Sequence, residues 1–98
     1  SDLSFFDNTL PKTFALGNNY PNPFNPTTTI QYNIPKYTDV SIKIFDLRGR
    51  QVALLVDQHM NPGYFSVVWN GNQYSSGMYF VQMIAGQYVN TKKLMLIK

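Results

Sequence analysis

The stretch VSIKIFDLRGRQV at residues 40–52 decides the fold class of the chain. In its first half, the apolar residues Val40, Ile42 and Ile44 occupy every second position, which is typical of a strand with one buried face. In its second half, Gly49 supplies the backbone freedom that a tight turn between two strands requires. The stretch therefore predicts two antiparallel strands joined by a short turn.

The same alternation recurs in three other parts of the chain. Further inward-facing rows are predicted for Ile30, Tyr32 and Ile34, for Phe65, Val67 and Trp69, and for Tyr79, Val81, Met83 and Ala85. No window of about a dozen residues carries a helical stripe of apolar side chains. We therefore predict that the core contains Ile30, Tyr32, Ile42, Ile44, Val67, Trp69 and Val81.

Turn signals separate these rows at short intervals. Besides the turn at Gly49, they are Asn61-Pro62-Gly63, Asn70-Gly71, Ser75-Ser76-Gly77 and Ala85-Gly86-Gln87. This spacing predicts six or seven short strands. Two packed sheets are favoured, because a single open sheet would leave an apolar face in water. The expected fold class is all-β, an immunoglobulin-like antiparallel β-sandwich of about seven short strands.

The composition indicates one folded domain and disfavours several classes of protein. The chain has 98 residues, of which 44% are hydrophobic and only 13% are charged, which is too apolar for a disordered chain. Since there is no cysteine, a disulfide framework and a thiolate metal site are excluded, although the compartment stays open. No apolar run approaches the roughly 20 residues of a membrane-spanning helix. The net charge of +3 comes from scattered basic residues, which disfavours nucleic-acid binding.

Residues that could carry catalysis or bind a metal are few and dispersed. His59 is the only histidine, glutamate is absent, and the five aspartates do not form a recognisable acid and base pair. We therefore predict that the domain is not an enzyme and has no cofactor or metal. A carbohydrate-binding function stays open as an alternative, with Tyr20, Tyr74 and Tyr88 as candidates for exposed rings and Trp69 expected in the core.

The N-terminal part of the chain departs from the strand pattern. Residues 1–10 include Phe5 and Phe6 without alternation, and we expect a linker or N-terminal extension there, followed by the domain at residues 11–98. Three prolines within residues 20–26 forbid a central strand. This proline-rich segment is therefore expected to act as a clamp or an edge.

The first residues also lack the features of a signal peptide, which are a basic start, an apolar stretch and a small-residue cleavage site. If the protein is exported, we expect its signal peptide to lie upstream. On this reading Ser1 lies inside a longer chain, and the natural C-terminus is at or near Lys98.

Five motifs, taken in their order along the chain, resemble those of a known family. They are YPNPFNP at residues 20–26, IFDLRGRQV at 44–52, WNG at 69–71, SGMYF at 76–80 and KKLMLIK at 92–98. Together they resemble the type A C-terminal sorting domain of the bacterial type IX secretion system. The chain is also similar to the immunoglobulin-like domain of flagellar hook-capping proteins.

This resemblance implies a β-sandwich at the end of a larger exported bacterial protein. The implied partners are the type IX secretion machinery, a covalently linked upstream cargo domain and, in some members, a sortase-like cell-surface protease. The implied route passes through the periplasm to the outer-membrane surface or the medium. The residues implied in recognition are Pro21, Asn22, Pro23, Gly49, Arg50, Gly77, Tyr79, Lys92, Lys93 and Lys98. An immunoglobulin-like spacer or adhesion module of the same sequence family is the alternative to a working signal.

Overall fold

The computed structural model describes residues 10–98, and these form seven β-strands without a helix. The strands are β1 (Ala15–Leu16), β2 (Thr27–Ile34), β3 (Thr38–Phe45), β4 (Gln51–Met60), β5 (Gly63–Asn70), β6 (Gly77–Ala85) and β7 (Tyr88–Leu96). A helix long and apolar enough to cross a membrane is therefore absent from this part of the chain. Phe5 and Phe6 lie outside the described residues, and the predicted boundary between residues 1–10 and 11–98 stays a prediction.

The strands form two sheets with different numbers of strands. One sheet has the order β1-β2-β5 and the other the order β4-β3-β6-β7. All neighbouring strands are antiparallel. The described chain crosses between the sheets three times from β2 onward, between β2 and β3, between β4 and β5, and between β5 and β6. The second crossing is at Asn61 and Pro62, where proline lacks the N–H that a ladder needs. The predicted immunoglobulin-like β-sandwich of about seven strands is confirmed.

Two of the predicted hairpin turns contain glycines in the left-handed region. Gly49 lies between β3 and β4 with φ of 86°, and Gly86 lies between β6 and β7 with φ of 59°. Residues with a Cβ are disfavoured in that region, whereas glycine enters it without steric cost. The sequence signals at these two positions therefore predicted the turns correctly.

The core lies between the inner faces of the two sheets, as the alternation predicted. Six of the seven predicted core residues are buried, and the seventh, Val67, is half-buried. Val67 is less protected because β5 is an edge strand, so one flank of its side chain is open. Fully buried residues that complete the core include Phe24, Ile34, Val40, Met83, Leu94 and Leu96.

The proline-rich segment at residues 20–26 is a clamp outside the regular ladders, as predicted. It contributes two isolated β-bridges, an antiparallel one from Tyr20 to Thr29 and a parallel one from Phe24 to Leu96. The first joins it to β2 and the second to β7, so the segment crosses from one sheet to the other. The peptide bonds that precede its three prolines are cis.

Candidate functional site

The sequence motifs meet at one end of the sandwich. This end is formed by the starts of β2, β4 and β6 and by the ends of β3, β5 and β7. We call it the motif end and define it as residues 20–26, 46–50, 69–79 and 95–98. Segments that are far apart in sequence therefore form one continuous structure.

An aromatic cluster forms the interior of the motif end. The ring of Trp69, which is only 3% exposed, lies 5.6 Å from Phe24, 5.6 Å from Tyr74 and 5.3 Å from Tyr79, measured between ring centroids. The inclined or edge-on geometries of these pairs are favourable for aromatic rings. One side chain from β5 thus joins the clamp to the loop that leads into β6.

The clamp holds the last strand through main-chain and side-chain hydrogen bonds. The N–H of Phe24 donates to the Met95 carbonyl oxygen at 2.9 Å, and the N–H of Ile97 donates to the Phe24 carbonyl oxygen at 2.9 Å. The Met95 N–H also donates to Oδ1 of Asn22 at 3.1 Å. The end of β7 therefore has a fixed position relative to residues 22–24.

Buried polar side chains fix the clamp on its inner side. Thr28 Oγ1 donates to the carbonyl oxygen of Pro21 at 2.8 Å, and Nδ2 of Asn19 donates to Thr28 Oγ1 at 3.0 Å. Asn19 and Thr28 are both buried, so each needs such a partner. The Gly71 N–H donates to the Pro26 carbonyl oxygen at 2.8 Å at the other end of the segment. Sequence reasoning missed Asn19 and Thr28, because neither polarity nor spacing distinguishes them from solvent-facing residues.

Asp46 organises the turn between β3 and β4. Its Oδ1 accepts hydrogen bonds from the N–H groups of Arg48 and Arg50, both at 2.9 Å. Its Oδ2 accepts from Arg50 Nε, also at 2.9 Å. The backbone hydrogen bond from Arg50 is the largest of the effects that hold the pKa of Asp46 below its ordinary value. The Arg50 side chain remains 71% exposed beyond this contact, so its outer side is available for a partner.

Tyr79 and Tyr74 attach the β5–β6 connection to its neighbours. The Tyr79 hydroxyl donates to the Ser75 carbonyl oxygen at 2.7 Å, which is the tyrosine corner of immunoglobulin-like domains. The Tyr74 hydroxyl donates to the Val52 carbonyl oxygen at 2.7 Å and so reaches β4. Burial is the main cause that raises the pKa of Tyr79, followed by the Asp46 charge. Tyr79 is therefore neutral and structural at ordinary pH.

Between the Asp46 turn and this connection lies a hollow of about 360 Å³. Arg48, Arg50, Ser76 and Met78 contribute to its walls. Gly77 also borders it, with φ of 150° at the start of β6. The charged residues that line the hollow are Arg48, Arg50 and Asp46, so cations outnumber carboxylates there.

The three terminal lysines lie in different environments. Lys98 Nζ donates to the Asn72 carbonyl oxygen at 2.5 Å, within the motif end. Lys92 and Lys93 lie further back on β7 and, as consecutive strand residues, point to opposite faces. Lys92 Nζ donates to Asn18 Oδ1 at 3.1 Å, whereas the Lys93 side chain is exposed. The structure thus brings Lys98 together with the other motifs and leaves Lys92 and Lys93 apart.

The tyrosine rings do not follow the expectation for an exposed platform. Tyr20 is 80% exposed, as expected, but Tyr74 is half-buried against Trp69 and Tyr88 is half-buried and stacked on Phe14. The prediction of three exposed rings is therefore wrong for Tyr74 and Tyr88. Their positions in a loop and at a strand end did not reveal the intramolecular aromatic partners that cover them.

Residues 18–98 match the family model described as "Secretion system C-terminal sorting domain". The chain belongs to this family. The match includes every segment of the motif end, and it confirms the type IX resemblance that the five sequence motifs carry. Comparisons with curated proteins and with solved structures gave no match.

Proposed function

We propose that this sorting domain directs a covalently linked upstream cargo protein through the type IX machinery, by way of the periplasm, to the cell surface or the medium. The observation that supports this proposal is the convergence of the family motifs on one end of the sandwich. A partner that binds there would contact segments from both terminal parts of the domain at once. The domain itself has no catalytic role in this proposal, and a sortase-like protease would act on the protein after export.

Nine of the ten implied recognition residues fall into two groups, those that shape the motif end and those whose side chains are exposed. The tenth, Lys92, is half-buried on β7. Gly49, Gly77 and Tyr79 shape the motif end, because the first two allow unusual backbone angles and the third is buried. The exposed residues are Pro21, Asn22, Pro23, Arg50, Lys93 and Lys98. Asn22 also bonds to the last strand, so it both positions the clamp and borders the surface. We infer that direct contact with the machinery is made by the exposed residues of the motif end, and Lys93 lies outside this surface.

The charge of the motif end favours an acidic receptor surface. Arg48, Arg50 and Lys98 are exposed cations there, and Asp46 is the nearby carboxylate. Because Asp46 accepts three hydrogen bonds from the Arg48 and Arg50 region, its charge is largely engaged within the turn. Exposed cations of this kind raise the rate of encounter with an acidic partner more than they raise affinity.

The test is export of a reporter fused upstream of residues 1–98 in a host that has a type IX system. Deleting Ile97 and Lys98 removes one main-chain bond to Phe24 and one exposed side-chain bond to Asn72. The buried Leu96 remains in place, so the loss of stability should be about 1 kcal/mol. We expect the intact fusion on the surface or in the medium and the shortened fusion in the periplasm.

A stability-matched control separates loss of the signal from partial unfolding. Ile34→Val truncates a fully buried side chain at the opposite end of β2 and should also cost about 0.5–1.5 kcal/mol. This variant should be exported normally.

Arg50→Gln should lower export, whereas Lys36→Gln, which removes an exposed lysine outside the motif end, should not. Equal export of the intact and shortened fusions, or export of neither, would contradict the proposal.

A further inference from the structure

The two sheets of residues 10–98 have four edge strands, and three of them are protected against pairing with another strand. An exposed edge offers unpaired N–H and C=O groups to any neighbouring strand, and proteins usually protect such an edge against pairing. β1 is only two residues long. β4 shifts its register against β3 twice and carries the carboxylate of Asp57. Bulges and charges of this kind discourage edge pairing.

The edge of β7 is covered by the segment that precedes β2. The N–H of Leu16 donates to the Tyr88 hydroxyl at 3.2 Å, and Lys92 reaches Asn18. The clamp then occupies the end of the strand through Phe24. These contacts lie at the first residue of β7, at Lys92 and at the end of the strand, so a second strand would have to displace them.

The fourth edge, β5, has none of these protections. Its sequence GYFSVVWN contains no proline and no charged residue, and its pairing with β2 runs over eight residues without a shift. The exposed side chains include Tyr64 at 61% and Val68 at 57%. An eight-residue straight edge of this kind is a template for strand addition.

The hydrogen-bond pattern shows which peptide groups face the open side of β5. Gly71, which follows the strand, donates its N–H to the Pro26 carbonyl oxygen on the β2 side. Because the direction of the peptide groups alternates, the odd-numbered residues of β5 bond to β2 and the even-numbered ones face outward. The outward groups belong to Tyr64, Ser66, Val68 and Asn70. Within residues 10–98, no hydrogen bond engages their N–H or C=O groups.

We propose that two copies of this chain pair through β5, antiparallel and around a two-fold axis at Ser66. In that register the two Ser66 residues face each other, and Tyr64 of each copy lies opposite Val68 of the other. An aromatic ring opposite a β-branched side chain is a favourable cross-strand pair. The pairing would form about six main-chain hydrogen bonds and one continuous six-stranded sheet.

The charge distribution favours a second copy as the partner. A two-fold axis brings each residue near its own copy, so a charged edge would repel itself. β5 and its neighbour β2 contain no charged residue, whereas β7 would bring Lys92 and Lys93 close to their copies. The β5 edge is therefore electrostatically compatible with itself although the chain carries a net charge of +3.

Pairing in this register leaves the proposed sorting surface free. The end of β5 belongs to the motif end, and antiparallel pairing directs the two copies of β5 oppositely. The two motif ends would lie at opposite poles of the dimer. Self-association is thus independent of the sorting proposal, and each can fail without the other.

The first measurement is the molecular mass of the 98-residue chain by sedimentation equilibrium, from about 1 µM to about 1 mM. The monomer mass is 11.3 kDa, and we expect a concentration-dependent approach to twice that value. Ser66→Lys places two lysines opposite each other and should leave a monomer. The control Ser76→Lys adds the same charge in an exposed loop outside β5 and should still dimerise.

Single cysteines test the register, since the chain has no cysteine of its own. Ser66→Cys should form an intermolecular disulfide quickly, because the Cα atoms of facing residues lie about 5.5 Å apart. Val68→Cys should not, because its own copy would be roughly 13 Å away along the strands. Ser76→Cys reports collisional crosslinking. A chain that stays monomeric, a dimer that survives Ser66→Lys, or equal crosslinking at the three positions would overturn the proposal.

Discussion

Replacing Trp69 with alanine should remove the ring that joins the clamp to the rest of the core. Trp69 is 3% exposed and contacts the rings of Phe24, Tyr74 and Tyr79. Among the aromatic pairs of the described residues, no other ring pairs with all three of these rings. The substitution therefore leaves a cavity bordered by three aromatic residues that cannot all move to fill it.

The expected loss can be worked from this packing. Truncation of a buried aromatic side chain to alanine costs about 3–5 kcal/mol, and poorly collapsing sites lie at the upper end. Each lost aromatic pair contributes about 0.5–1.5 kcal/mol beyond area burial. We expect a decrease in the free energy of unfolding of about 4–5 kcal/mol. Since the free energy of unfolding of a native domain is roughly 5–15 kcal/mol, the variant should be only marginally stable.

The assay is equilibrium unfolding in urea, followed by far-ultraviolet circular dichroism. Fluorescence is unsuitable, because Trp69 is the only tryptophan. Tyr37→Ala, at a ring that is 63% exposed, should change the free energy of unfolding by less than about 0.5 kcal/mol. If Trp69→Ala does not fold, Trp69→Phe keeps one ring and should lose roughly half as much. A loss below about 1 kcal/mol for Trp69→Ala would refute the packing argument.

Two further predictions concern the turn between β3 and β4. Gly49→Ala should lower the free energy of unfolding by about 1–2 kcal/mol, because alanine is strained at a φ of 86°. The loss is conformational, since no atom lies within 4 Å of the added Cβ. Gly49→Asn should lower the free energy of unfolding less in the same urea titration, because asparagine tolerates the left-handed region better. Because the pKa of Asp46 is lowered in the folded state, its ionised form stabilises the fold above the ordinary value of 3.8, and this contribution is lost as pH falls through the lower folded value. Asp46→Asn should therefore be less stable than the wild type at neutral pH. As the pH falls below about 4, its stability should decrease less than that of the wild type. If the urea midpoints of the wild type and of Asp46→Asn change by the same amount between about pH 2 and pH 6, the assigned role of Asp46 is contradicted.

The fold was predictable wherever one sheet face is buried and the strand is regular. Val40, Ile42 and Ile44 alternate without interruption, and all three are buried. β4 was harder, because its pairing skips Leu55 and Val52 and the apolar residues no longer alternate. Local alternation therefore does not reveal that this strand extends over ten residues. Bulges follow from packing of the whole sheet, which local periodicity does not encode.

The candidate site was predictable only in part, for a related reason. Motif order placed Arg50 and Lys98 among the recognition residues, and the structure brings both to the motif end. Motif order could not show that Asn22 bonds to Met95, because the two residues are separated by 73 positions in the chain. It also could not separate the buried Tyr79 from the exposed Arg50. Such distinctions depend on tertiary contacts.

The same tertiary contacts limit what a mutation at the motif end can reveal about sorting. Phe24, Trp69 and Tyr79 are buried, so their replacement lowers stability and would reduce export even if the machinery never touched them. Exposed residues such as Arg50 and Lys98 have small effects on folding, because ion pairs and hydrogen bonds at the surface contribute little. Only substitutions of exposed residues can therefore distinguish a recognition surface from the framework that holds it in place. They must be compared with a variant that is destabilised but keeps the signal intact.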